Sequence, residues 1–313
     1  MEKKKIYGDT LKAQLQASVR DKRYHFMMGG DTIRGVLVNG TRMVNEMRWN
    51  HALGVLETLV LGHGYLAAAL ISATLKGTDR IGIDVACSGP IKGLTVEANA
   101  FGEVRGFLKQ VPIPIDKPLE SFDLAPFYGA GFLSVTKYLQ DAKHPFTGKV
   151  MMGYGSLAKD LSHYYLKSEQ LPSAFSLGIF FDSEGAVEGA GGLMLQALPG
   201  AEENVLAQLE QLVFDLPSMG QVVNSSDFPE PWLADTFEAL QPRIVAQRGV
   251  EFMCHCNRDK IRAMLAMLDP AELADMARNG PFPLKIRCHH CNTNYSFDRE
   301  ALQDIRKPSS SGD

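Results

Sequence analysis

The chain has 313 residues, 45 % of them apolar and 22 % charged, with a formal net charge of -4 and a pI near 6.1. That length supports a substantial core and two or three domains, and the balance of apolar and charged residues is that of a soluble globular protein. The acidic balance argues against a general nucleic-acid binder, because neutralising a phosphate backbone needs a basic surface.

Met1-Glu2-Lys3-Lys4-Lys5 is basic but leads into no apolar run, so no signal peptide is predicted and a cytoplasmic location is expected. Residues 33–43 read as an imperfect strand. The longest apolar stretch, residues 54–75, is interrupted by Glu57, Gly62, His63 and Gly64. Its helical spacing offers Leu56, Leu59, Leu66 and Leu70 to a core, so residues 55–75 are predicted as a buried helix rather than a membrane span. Residues 81–85 and 94–98 read as strands around a turn at Ser88-Gly89-Pro90. Residues 155–168 read as a helix and 174–181 as a strand. Gly189-Ala190-Gly191-Gly192 leads into an apolar strand at 193–198. Helices and strands alternate without a βαβ rhythm, which predicts an α+β core domain of mixed helix and strand over 1–198.

Pro199-Gly200 marks a boundary. Between residues 201 and 242 lie eight acidic residues and no Lys or Arg. Val205, Leu209, Leu212, Val213 and Leu216 form one apolar stripe at helical spacing. Pro217, Gly220, Asn224-Ser225-Ser226 and Pro229-Glu230-Pro231 interrupt it. Residues 199–249 therefore read as an acidic helical linker. One reading makes it a plain interdomain connection. The other makes it a segment that docks on a neighbour, because it cannot build its own core, and that can let go.

Residues 250–306 form a small C-terminal domain. A helix is predicted over 258–268. Asp269-Pro270-Ala271-Glu272 opens a second, with Asp as N-cap and Pro at the first position, and Asn279-Gly280 ends it. Short strands at 284–287 and 295–297 flank the second cysteine pair. The tail, 307–313, is predicted to be disordered.

Four of the five cysteines fall in this last domain, as Cys254-x-Cys256, thirty-one residues, then Cys288-x-x-Cys291. Thiolate is a soft ligand, and closed tetrahedral zinc sites take four of them; an iron–sulfur cluster is the weaker alternative. The expected site is one zinc per chain on Cys254, Cys256, Cys288 and Cys291, with His255, His289 and His290 as spacers. Zinc carries no redox chemistry, but its thiolates do. Their oxidation ejects the metal, and a domain folded by its metal then unfolds. A purely structural site and a switch both fit the spacing. The fifth thiol, Cys87, reads as a small buried hydrophobe.

These residues resemble the redox-regulated 33-kDa heat-shock chaperone family (33 kDa chaperonin). The closest match is Cys254-His255-Cys256-Asn257-Arg258-Asp259, Glu272-Leu273, Ile286-Arg287-Cys288-His289-His290-Cys291-Asn292 and Tyr295-Ser296-Phe297-Asp298. Collinear matches upstream are Arg34-Gly35, Leu75-Lys76, Arg105-Gly106, Ser168-Glu169-Gln170-Leu171-Pro172 and the stretch from Gly191 to Pro199. The resemblance implies an ATP-independent holdase that is zinc-bound and inactive when reduced. It implies that oxidation pairs Cys254 with Cys256 and Cys288 with Cys291, releases zinc and loosens the linker. The activated form would bind unfolding client proteins and form a homodimer. The chain departs from the family at Asn257, where Ser is common, at His63, where an acidic residue is usual, and at the turn Cys87-Ser88-Gly89-Pro90.

Ser156-Leu157-Ala158-Lys159 fits a Ser-x-x-Lys nucleophile pattern, but no partner motif accompanies it. The glycines at 189–192 are too short and misplaced for a dinucleotide fingerprint. No turnover enzyme, nucleic-acid partner or membrane partner is predicted. Two other readings remain: a constitutive zinc-ribbon module that binds nucleic acid or protein, and a structural zinc domain on an enzyme.

Overall fold

In the computed structural model the described residues are 1–4, 21–115, 121, 123–202, 205, 209, 212–213, 215–225 and 228–306. The predicted tail, 307–313, lies outside them, whereas the stripe residues Val205, Leu209, Leu212, Val213 and Leu216 all lie within them. The chain divides into two compact units, Lys4–Phe252 and Met1–Lys3 with Met253–Asp313.

The strands of the larger unit are β1 (Lys22–Met28), β2 (Ile33–Asn39), β3 (Arg80–Cys87), β4 (Gly93–Asn99), β5 (Glu103–Leu108), β6 (Gly131–Tyr138), β7 (Phe146–Met151), β8 (Ser173–Phe181), β9 (Val187–Ala197), β10 (Arg243–Gly249) and β11 (Glu251–Phe252). Among the described residues they form a five-stranded sheet, β10-β1-β2-β9-β8, and a six-stranded sheet, β11-β5-β4-β3-β6-β7. Neighbours pair antiparallel except β11 with β5. Hairpin connections and separate helices make the class α+β, as the sequence predicts.

Helix α1 (Thr41–His51) is followed by α2 (Val55–Ser72). Helix α2 packs on β2, β8 and β9 of one sheet and on β3, β4 and β5 of the other. A helix enclosed on both sides needs no polar face, which explains its apolar circumference. By length and composition it is the one candidate membrane span among the described residues, and 89 % of it is buried inside the protein. Glu57, an apparent interruption, is buried and accepts the Ile113 amide at 2.8 Å. Tyr65 OH donates to Gly106 O at 3.1 Å, tying α2 to β5.

The opposite face of the five-stranded sheet is covered by the acidic segment. After helix α3 (Leu157–Ser168), helices α4 (Met219–Val223) and α5 (Glu230–Thr236) carry Met219, Val222 and Leu233. With Leu209, Phe237 and Leu240 these join Phe26, Ile33, Leu37 and Leu193 of the sheet in one buried cluster. Phe237 lies 6.4 Å from Phe26 and edge-on to Trp232 at 6.1 Å. The short four-residue helix before β6 spans Ala125–Tyr128.

Residues 243–249, which the sequence reading placed in the helical linker, form β10 and pair with β1 from Lys22↔Gly249 to Met27↔Arg243. This edge strand is exposed at six of its seven positions. It is held by its backbone ladder, so no alternation of apolar residues marks it.

The smaller unit contains α6 (Arg258–Leu265), α7 (Pro270–Asn279), the hairpin β12 (Leu284–Arg287) and β13 (Asn294–Phe297), and α8 (Arg299–Arg306). The first two helices and the hairpin stand where the sequence predicts them. Helix α8 was not predicted. It contributes Leu302 to a small cluster with Ile261, Leu265, Leu273, Ala277 and Phe297. Asp269 caps α7 by accepting the Ala271 amide at 2.8 Å.

Candidate metal centre

Cys254 and Cys256 lie just before α6. Asn257 begins that helix as its N-cap, its side chain accepting the Lys260 amide at 2.8 Å. The family's common Ser would serve the same purpose, so this departure preserves the cap. Cys288 and Cys291 sit in the loop left between Arg287↔Asn294, the last pair of the β12–β13 ladder. Two backbone bonds close that loop. Cys288 N donates to Thr293 O at 2.9 Å, and Asn292 N donates to Cys288 O at 2.7 Å. Asn292 has a φ of 58°, a left-handed conformation that Asn tolerates better than most residues.

The four sulfur atoms all lie within 4.8 Å of one another. Cys254 Sγ is 3.8 Å from Cys288 Sγ, and Cys256 Sγ is 3.3 Å from Cys291 Sγ. A tetrahedral ion with metal–sulfur bonds of about 2.3 Å sets sulfurs about 3.8 Å apart, so the cluster has the size for such an ion. All four thiols are free of disulfide bonds. Cys254 and Cys291 are buried, whereas Cys256 and Cys288 are half-buried. The centre is thus enclosed on one side and open to small solutes on the other.

Tyr295 OH donates to Cys256 Sγ at 3.1 Å, and Thr293 Oγ1 lies 3.2 Å from Cys291 Sγ. Sequence reasoning gave neither residue a role, since contact with a sulfur across the hairpin has no local signal. The thiols compete for charge. Cys254 is held far below the usual thiol range because Cys288 and Cys291 donate to its sulfur. The same bond to Cys254 pushes Cys288 up to about 11 and, with Cys288 and burial, raises Cys291 further. A divalent cation would replace those shared protons and let all four ionise.

His255 and His289 are exposed and His290 is half-buried, and none belongs to the ligand cluster. Cys87, at the end of β3, is also outside it, and burial pushes its thiol up. Ser156 precedes α3, where the Asp160 carboxylate accepts the amides of Gly153, Tyr154 and Ser156; that carboxylate organises the loop. Glycines 189, 191 and 192 lie within β9.

A sequence model of the family described as Hsp33 protein matches residues 21–298. The 33 kDa chaperonin of Desulforamulus reducens is 37 % identical over 268 residues, 85 % of this chain and 90 % of that protein. The 33 kDa chaperonin of Thermotoga maritima is 33 % identical over 290 residues, 91 % of this chain and 97 % of that protein. The crystal structure of the 33 kDa chaperonin (heat shock protein 33 homolog) from Thermotoga maritima superposes with a TM-score of 0.82 at 31 % identity, covering 92 % of this chain and 98 % of that one.

Proposed function

Because the chain belongs to the Hsp33 family of chaperones, we propose that it is a redox-switched, ATP-independent holdase of the cytoplasm, inactive when reduced and zinc-loaded. The observation that carries this reading is the convergence of four thiols in a unit whose buried apolar cluster is small. Such a core supplies little folding free energy, so a metal on Cys254, Cys256, Cys288 and Cys291 would supply much of the rest. Zinc suits the soft, four-sulfur donor set and, when bound, holds the thiolates together without redox chemistry of its own.

Oxidation acts on the thiols. Cys254 with Cys256, and Cys288 with Cys291, each give two electrons from their thiolates to one peroxide, which takes up two protons from solvent and leaves as two waters. Each pair then holds a disulfide in place of two ligands. Half-buried Cys256 and Cys288 give an oxidant its entry. Loss of order in this unit is the signal, and residues 199–242 are the regulatory linker that answers it. That linker covers an apolar sheet face, which its release would make available to unfolding client proteins. Exposure of that face also favours a homodimer of the activated chain. No turnover chemistry, nucleic-acid partner or membrane partner is assigned.

The test is zinc release to a chromophoric chelator, run beside an aggregation assay with a denatured client, on reduced and oxidised protein. One zinc per chain should leave on oxidation as client aggregation becomes suppressed. Cys288→Ser should hold little zinc in either state. Zinc release with no gain in holdase activity would sink the proposal. Salt-sensitive RNA or DNA binding by the reduced, loaded form would favour a constitutive zinc-ribbon module instead.

A further inference from the structure

Residues 1–20 lie outside the span that the family matches, 21–298. Met1–Lys3 nevertheless belong to the same compact unit as the cysteines. Met1 N donates to Cys256 O at 2.6 Å, and Glu2 N donates to Thr293 Oγ1 at 3.4 Å. The two acceptors stand on opposite halves of the centre. Cys256 is the second thiol of the first pair. Thr293 follows the second pair, with its hydroxyl against Cys291 Sγ and its carbonyl accepting Cys288 N. One dipeptide therefore joins both cysteine loops through backbone donors.

We propose that this N-terminal segment is a strap across the metal centre, slowing metal release and so setting the oxidant level at which the switch opens. The inference rests on the reading that the cysteines hold zinc and lose it on oxidation. With four ligands divided between two loops, release requires the loops to part. A bond across both loops keeps a detached thiolate close and favours its return, as any tether raises local concentration. The donors are the Met1 ammonium and the Glu2 amide, so the strap needs no particular side chain at positions 1 and 2. An extension with this role would adjust the switch of this chain while the shared centre stays the same.

The test compares the full chain with a variant lacking residues 2–20, in which only the initiator Met precedes Asp21 and no arm remains to carry the two donors, both zinc-loaded, with far-UV circular dichroism to establish that each is folded. At fixed peroxide the variant should release zinc about tenfold faster, the factor that two net hydrogen bonds supply together. Amides of residues 288–293 should also exchange faster with solvent. In the unaltered chain, NMR should find the Glu2 amide slow to exchange while zinc is bound and fast once it is extracted. Equal release rates and equal exchange in the two proteins, or a Glu2 amide that exchanges freely in the loaded chain, would overturn the strap. If the full chain releases no zinc on oxidation, the switch reading fails, and exchange of 288–293 and of Glu2 decides the strap alone.

Discussion

Gly189 of β9 and Gly220 of α4 meet at backbone distance: a Cβ on Gly189 would stand 2.0 Å from Gly220 O. One on Gly191 would stand 2.3 Å from Met219 O, and one on Gly220 would stand 2.5 Å from Phe180 N. The glycines of β9 are thus a floor on which the linker rests, main chain against main chain. Because the obstructing atoms are backbone, a side chain there has no rotamer escape. Gly189→Val should displace α4 at a cost of about 1–3 kcal/mol. In the aggregation assay, the reduced variant with full zinc content should protect clients without oxidant. If proteolysis finds α4 displaced while the reduced variant stays inactive, linker docking does not gate the chaperone.

Trp232 offers an optical report of the same event. The chain has two tryptophans, and Trp49 is already 53 % exposed. Trp232 is half-buried and edge-on to Phe237, which is fully buried. In a Trp49→Phe background, emission should move to the red as oxidation releases zinc. Phe237→Ala should shift the reduced protein in the same direction and cost about 3–5 kcal/mol in denaturant unfolding of the larger unit.

Tyr295 and Asn257 separate metal affinity from unit stability. Tyr295→Phe removes the donor to Cys256 Sγ and should weaken zinc binding about tenfold in competition with a chelator. Asn257→Ser should leave the melting of the smaller unit unchanged, whereas Asn257→Ala should cost it about 1 kcal/mol.

Acid should destabilise the larger unit through two histidines. Burial, with Arg23, Arg248 and Arg34 nearby, holds His25 at about 4, and burial alone holds His63 at about 4, against 6.5 for the free side chain. Between those values the unfolded chain binds the protons that the folded chain refuses, so stability falls as pH drops from 6.5 towards 4. Each imidazole contributes up to about 3 kcal/mol of this loss. Asp21 acts the other way. Burial raises it from 3.8 to about 7 despite the amides of Met43 and Arg42, so it favours the fold below neutrality. The two imidazoles together outweigh it. Denaturant midpoints measured from pH 7 to pH 4 should fall, and His63→Gln should flatten the curve. A midpoint that rises on acidification would reverse the assignment.

The sequence by itself determined the features whose physics is local. Two thiols one or two residues apart can face one point through short loops alone, so the cysteine pairs were legible as a group that could hold a metal ion. The same holds for α7, whose Asp269 cap and Pro270 start are neighbours in the chain, and for β3, β4, β8 and β12, whose apolar residues and turns mark them. Tertiary structure decided what depends on surfaces far away in the chain. Helix α2 is apolar all round because sheets lie on both of its sides, and nothing within residues 55–72 names those sheets. The glycines of β9 read only as the approach to an apolar strand until α4 is seen to rest on them, because the absence of a side chain has meaning only against the backbone it admits. β10 carries no mark in the sequence because an exposed edge strand is held by backbone hydrogen bonds, which every sequence can make, and only the partner strand β1 selects where they form.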